Sequence, residues 1–169
     1  MVCFCHLRWR FIFQRPNHLL SRFSHHQRVF FIEEPIFYEG EDKLQIENYN
    51  ENLFIVTPHI KNGLSEQEVH KRQRKFIDSF FMNMNIQHYF SWYYTPMALP
   101  FTDQLAPELV IYDCMDEFSA FKFAPPQLTI LEKELFKKAY VVFTGGNIIY
   151  EYKKNQHHNI YHFPSSIDK

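Results

Sequence analysis

Val110-Ile-Tyr-Asp-Cys-Met-Asp-Glu-Phe-Ser-Ala-Phe121 begins as an apolar, β-branched run and breaks abruptly into carboxylates. Leu109 to Tyr112 has the length of a buried strand, and it is apolar throughout instead of alternating, as a strand covered on both faces is. Asp113, Asp116 and Glu117 follow at once. In an open α/β sheet, ligands bind just beyond the carboxyl ends of the strands, so acids placed there carry more functional weight than acids on a helix surface. The competing reading is that Asp113 and Asp116 cap the next turn, a common use of Asp.

The same pattern recurs outward in both directions. Val2 to Cys5, Val29 to Ile32, Leu53 to Val56, Tyr89 to Tyr93, Tyr140 to Phe143 and Asn159 to Phe163 read as further strands, seven in all with the one above. Tyr38 to Asn52 is polar and acid-rich, a loop or an antiparallel excursion around Leu44-Gln-Ile46. Between the strands lie helical patterns. Pro16 stands near a first turn, where its missing N–H is harmless, with Leu19, Leu20 and Phe23 on the buried face. Ser65-Glu-Gln-Glu68 is a capping box that opens the longest helix; Val69, Phe76, Ile77, Phe80, Phe81 and Met84 form its buried stripe. Lys71, Arg72, Arg74 and Lys75 cover its other side, most simply as a solvated face, with contact to an anionic membrane or substrate as the second reading. A later helix turns Leu128, Leu131, Leu135 and Ala139 inward. Strands alternating with amphipathic helices predict an α/β fold, a doubly wound and mainly parallel sheet with helices on both faces.

The ends of these strands collect polar residues: His6, Glu33 and Glu34, Thr57 and His59, Thr95, Asp113 and Asp116, Thr144 with Gly145-Gly146, and Ser165-Ser166. Together they sketch a polar cleft at one edge of the sheet. Gly145-Gly146 opens a helix, so its free N–H groups suit a phosphate or a sugar hydroxyl; close strand-to-helix packing explains the pair equally well.

Composition excludes several classes. The chain has 169 residues, 46% hydrophobic and 22% charged, enough for one sizeable globular domain. A net charge of −1 provides no field for polyanions, which argues against nucleic-acid binding. Cys3, Cys5 and Cys114 sit in or beside apolar runs and read as reduced core thiols of a cytoplasmic protein. Cys3-x-Cys5-His6 lacks a second pair at ligand spacing, so no metal site is expected. The amino-terminal run is interrupted by Arg8, Arg10 and Arg15, unlike a cleavable signal, and no stretch approaches the ~20 apolar residues of a spanning helix. Only four glycines occur, at positions 40, 63, 145 and 146. None follows the first strand, which disfavours NAD or FAD in the usual pose, and neither a Walker sequence nor a Gly-x-Ser-x-Gly elbow is present.

Several motifs carry a resemblance. Phe4-x-His6-Leu-Arg-Trp9 with Gln14-Arg-Pro-x-His-Leu-Leu-Ser-Arg22, Val29-Phe-Phe-Ile-Glu-Glu-Pro35, Trp92-Tyr-Tyr-Thr-Pro-Met97, Tyr112-Asp-Cys-Met-Asp-Glu-Phe-Ser-Ala-Phe121 and Val142-Phe-Thr-Gly-Gly146 resemble the amino-terminal domain of bacterial retaining glycosyltransferases of the GT-B type, in the teichuronic-acid-biosynthesis branch. Some relatives carry the label UDP-galactopyranose mutase; a mutase works through flavin, and the glycine fingerprint for one is missing here.

The resemblance implies two Rossmann-like domains in an active enzyme. Residues 1–164 would be the acceptor-side domain and 165–169 the start of the interdomain linker, with the donor domain that holds the nucleotide sugar absent. It implies no cofactor, a nucleotide sugar as donor substrate, and a glycan or lipid-linked acceptor in cell-surface polysaccharide synthesis, at the cytoplasmic side with peripheral contact to the membrane. The isolated chain would then be inactive, with an exposed apolar patch that favours homo-oligomers. The alternative is a non-enzymatic saccharide- or protein-binding module of the same fold.

Asp113 falls where related transferases place a polar residue, often His, beside the reacting sugar. Asp113 and Asp116 are therefore joint catalytic candidates, and His6, Arg8, Thr95, Glu117, Thr144, Gly145 and Gly146 are candidates for binding substrate. If both aspartates line one cleft with His6 and Thr144, exchanging either for Asn lowers turnover and leaves the fold intact.

Overall fold

A computed structural model describes residues 1–117 and 125–164. The segment Phe118–Phe121 of the organising stretch, and the expected linker entry from Ser165 onward, lie outside the described residues.

Among the described residues the strands form one nine-stranded sheet. They are β1 (Val2–Cys5), β2 (Val29–Glu33), β3 (Ile36–Tyr38), β4 (Lys43–Asn48), β5 (Leu53–Lys61), β6 (Phe90–Tyr93), β7 (Leu109–Cys114), β8 (Val141–Thr144) and β9 (Ile160–His162). The order is β3-β5-β2-β1-β6-β7-β8-β9, with β4 also paired to β5. Every pairing is parallel except β4 with β5. The α/β, mainly parallel, Rossmann-like class expected from the alternation is thus the fold observed.

Two strands exceed the seven expected. β4 is the antiparallel excursion; its half-exposed alternation is that of an edge strand. β3 is a short edge segment, and β5 runs on through Pro58 to Lys61. Thr57 and His59 therefore lie within a strand and not at its end. β4 and β2 pair with overlapping parts of β5 and so occupy its opposite edges; β3 shares His59 with β4 and must continue the β2 edge. Pro58 falls opposite the gap between β2 and β3, where that ladder is interrupted and a strand tolerates proline.

The helices are α1 (Arg15–Phe23), α2 (Glu66–Asn83), α3 (Leu99–Thr102), α4 (Leu128–Lys138) and α5 (Asn147–Lys153), with a 3-10 turn at Pro96–Ala98. Ser65 and Glu68 close the capping box of α2 in both directions. Alternate residues of the central strands feed two cores. Phe4, Phe30, Ile32, Tyr93 and Tyr112 pack with Ile77 and Phe80 of α2 and Leu135 of α4. Cys3, Cys5, Phe31, Trp92 and Ile111 pack with Leu20 of α1 on the opposite face. The fully buried thiols Cys3 and Cys5 belong to this second core, as their spacing on one face of a strand requires.

β1 lies at the centre, with β2 on one side and β6 on the other. The chain winds outward first through β2 and then back through β6, so the loops leaving β1 and β6 separate and leave a crevice at the carboxyl edge.

Candidate functional site

The crevice is lined first by His6, which follows β1, and by Asp116, which follows β7. His6 Nε2 stands 3.8 Å from Asp116 Oδ2, with the end of β6 between them. His6 also bonds the backbone of Tyr94. Burial pushes the imidazole below its ordinary value of 6.5, although Asp116 and the Tyr94 bond work in the other direction. The ring is consequently neutral near pH 7. Asp116 keeps a side chain 38% exposed. This is a pair of predicted residues that the fold brings together at the strand ends, 3.8 Å apart.

Asp113 is kept apart from it. The side chain is fully buried, and Arg15 Nε donates to both oxygens at 3.0 and 2.9 Å. Arg15 is itself buried and donates from Nη1 to the carbonyl of Phe163. Burial pushes the Asp113 carboxyl up, and the charge and hydrogen bonds of Arg15 offset this only in part. Side chains alternate along a strand, so Asp113 of β7 faces the α1 side with Ile111, while Tyr112 and Cys114 face α4. Asp113 is thus a pin joining β7, α1 and the segment after β9.

Glu117 belongs to a second network on the α4 side. Lys153 Nζ lies 3.0 Å from Glu117 Oε2 and bonds both oxygens of Glu132 at 2.9 and 2.8 Å. Tyr112 donates to Glu132 Oε1 at 2.7 Å. Burial opposes the Lys153 charge, but Cys114, Glu132 and Glu117 outweigh it and hold its pKa up. The network fastens the segment carrying Asp116 to α4 and α5.

Arg8 is likewise engaged by protein. Its guanidinium donates to Glu33 Oε2 at 3.0 Å and to the carbonyls of Glu34 and Pro35, which the break between β2 and β3 leaves open. Glu33 also accepts from the Trp9 N–H and from Thr57 Oγ1, both at 2.8 Å. Arg8 therefore shapes the loop after β1. Thr144 is buried and its hydroxyl donates to the carbonyl of Tyr161 at 3.4 Å.

The glycine pair divides into two roles. A Cβ on Gly145 would stand 2.9 Å from Met115 Cα and 3.0 Å from its carbonyl oxygen, so this position must lack a side chain for β8 and the segment after β7 to meet. Gly146, the cap residue of α5, faces open space. Thr95 accepts from the Met97 N–H at 3.2 Å and starts the 3-10 turn after β6.

Sequence reasoning missed a recess beside this crevice. A cavity of about 220 Å³ lies between the ends of β1, β2 and β6 and one face of α2, with Glu34, His70, Gln73 and Thr95 among its lining residues. Gln73 lies between Val69 and Ile77 at intervals of four, on the buried stripe of α2, and is only 5% exposed. A polar residue at a core position was the available signal. Among the described residues, no group of three His, Cys, Asp or Glu side chains could hold a metal ion. No described helix is long and apolar enough to cross a membrane.

Comparison with known proteins places the fold. No family model matches the chain, and no curated protein matches it. Sucrose-phosphate synthase from Thermosynechococcus elongatus superposes with a TM-score of 0.65 at 9% identity, over 96% of this chain and 47% of that one. Trehalose-6-phosphate synthase from E. coli, solved with UDP-2-fluoro glucose bound, superposes with a TM-score of 0.56 at 9% identity, over 87% of this chain and 40% of that one. The chain spans less than half the length of both.

Proposed function

We propose that residues 1–164 form the acceptor-side domain of a nucleotide-sugar-dependent glycosyltransferase, with residues 165–169 entering a linker to a donor domain. The observation that carries this reading is the His6 and Asp116 pair, 3.8 Å apart, at the switch-point crevice of the sheet. In support, both solved neighbours are glycosyltransferases of the GT-B type. Within that class the motifs favour the teichuronic-acid-like branch, with a glycan or lipid-linked acceptor in cell-surface polysaccharide synthesis on the cytoplasmic side of the membrane.

Transfer forms a bond between the acceptor oxygen and the anomeric carbon and breaks the bond to the nucleoside diphosphate, which leaves with its charge. The acceptor hydroxyl must be placed against the sugar and must lose its proton; placement and electrostatics supply much of the rate. Asp116, half-exposed, accepts the hydrogen bond and then the proton of that hydroxyl, and His6 sets the position of Asp116. Asp113 acts indirectly, through the Arg15 pin that holds β7. The donor diphosphate is bound by the second domain.

The test uses the longer gene product read beyond residue 169. Radiolabelled UDP-sugars and a lipid-linked or glycan acceptor should yield transfer that needs both halves. A stop codon after Lys169, together with saccharide binding and no transfer, would favour the non-enzymatic module.

A further inference from the structure

The recess beneath the crevice is built for a ligand of definite chemistry. Its walls include the aromatic rings of Phe4, Phe37 and Phe101. Its polar groups are few and gathered. The Gln73 side chain lines it, on a residue that is 5% exposed. A carboxamide on the wall of a recess otherwise built largely of apolar side chains is placed to hydrogen-bond something that enters it. Thr95 and Glu34 stand on the same lining. Its lining residues include Glu33, which Arg8 pairs, and Glu34, but no lysine or arginine among the described residues, so the recess offers phosphate and carboxylate no cation on its walls.

A carboxamide presents a donor and an acceptor side by side, which matches two neighbouring hydroxyls of a sugar ring, one accepting from Nε2 and the other donating to Oε1. The aromatic walls suit the C–H face of the same ring. Cys5 and Thr95 line the recess and directly adjoin His6 and Tyr94 in the chain, so the recess opens at the same strand ends that carry the His6 and Asp116 pair.

We infer that the recess is a subsite for an uncharged pyranose ring of the acceptor, gripped through vicinal hydroxyls by Gln73. This rests on the acceptor-side reading above for its place in a reaction, but not for the binding itself.

The 169-residue chain, labelled with ¹⁵N, is titrated with methyl glucopyranoside, methyl galactopyranoside and methyl mannopyranoside, and with methyl glucuronide and glucose 6-phosphate as anionic controls. At least one neutral glycoside should shift the Gln73 side-chain amide resonances together with Glu34 and Thr95, and the anionic sugars should not. Gln73→Leu, close in volume, should keep the circular dichroism spectrum and weaken the neutral sugar about tenfold or more. No shift with any neutral glycoside, equal binding of the anionic sugars, or unchanged affinity in Gln73→Leu would each overturn the inference. If Gln73→Leu fails to fold, Thr95→Val and Glu34→Gln take its place, and unchanged affinity in both overturns the inference. Binding without transfer by the longer protein would sink the enzymatic reading and leave the subsite standing. Transfer with an unaltered KM for acceptor in Gln73→Leu would do the reverse.

Discussion

At the scale of single residues, the two aspartates that look alike in the sequence have opposite surroundings and should fail differently. Asp116→Asn removes a half-exposed charge. In the longer protein it is expected to lower turnover by about 10²–10⁴, the usual range for a lost acid–base group, with little change in the urea midpoint. Asp113→Asn leaves Arg15 buried with its charge uncompensated. A loss of about 3–5 kcal/mol in denaturant unfolding is expected, so this residue cannot be tested by activity alone. His6 makes stability pH-dependent. Its pKa is lowered in the folded state, so the unfolded chain binds more protons below the ordinary value of 6.5, and stability falls as pH drops through that region. Denaturation measured between about pH 7.5 and 5.5 should show this slope, and His6→Asn should flatten it. An unchanged slope would mean that other groups set it.

At the scale of elements, the segment after β7 is held from two sides. Lys153 grips Glu117, and Gly145 lets β8 approach Met115. Gly145→Ala forces a Cβ against backbone atoms that cannot swing aside, and should destabilise by about 1–3 kcal/mol, read from the thermal or urea midpoint. Gly146→Ala meets nothing within 4 Å and should be close to neutral on the same measurement. The helices themselves were legible. The capping box at Ser65 and the stripe through Ile77 and Phe80 are local patterns, and α2 begins and buries where they indicate. β3 and the extension of β5 were not, because Pro58 reads as a terminator unless the interrupted partner edge is known.

At the scale of the whole molecule, large apolar side chains crowd the outside of the carboxyl edge. Phe11, Ile12 and Phe13, on the loop after β1, are 77%, 54% and 58% exposed. Such a patch favours association. Sedimentation should show a concentration-dependent dimer or larger species, and Phe11→Ser with Phe13→Ser should return it toward monomer; a clean monomer for the original chain would remove the patch as an interface. The sequence by itself determined the class of fold: continuous apolar runs of strand length, alternating with capped amphipathic helices, can bury their surface only in a covered parallel sheet. It also placed His6 and Asp116 at strand ends. Only the tertiary structure decided that these two meet while Asp113 turns away to Arg15, 98 residues distant in the chain, and that Gln73 faces a recess instead of a sealed core. The reason is physical. Periodicity and caps are properties of neighbouring residues, whereas partners and solvent access depend on which strands cross to lie side by side, and on which face of each strand a given residue emerges.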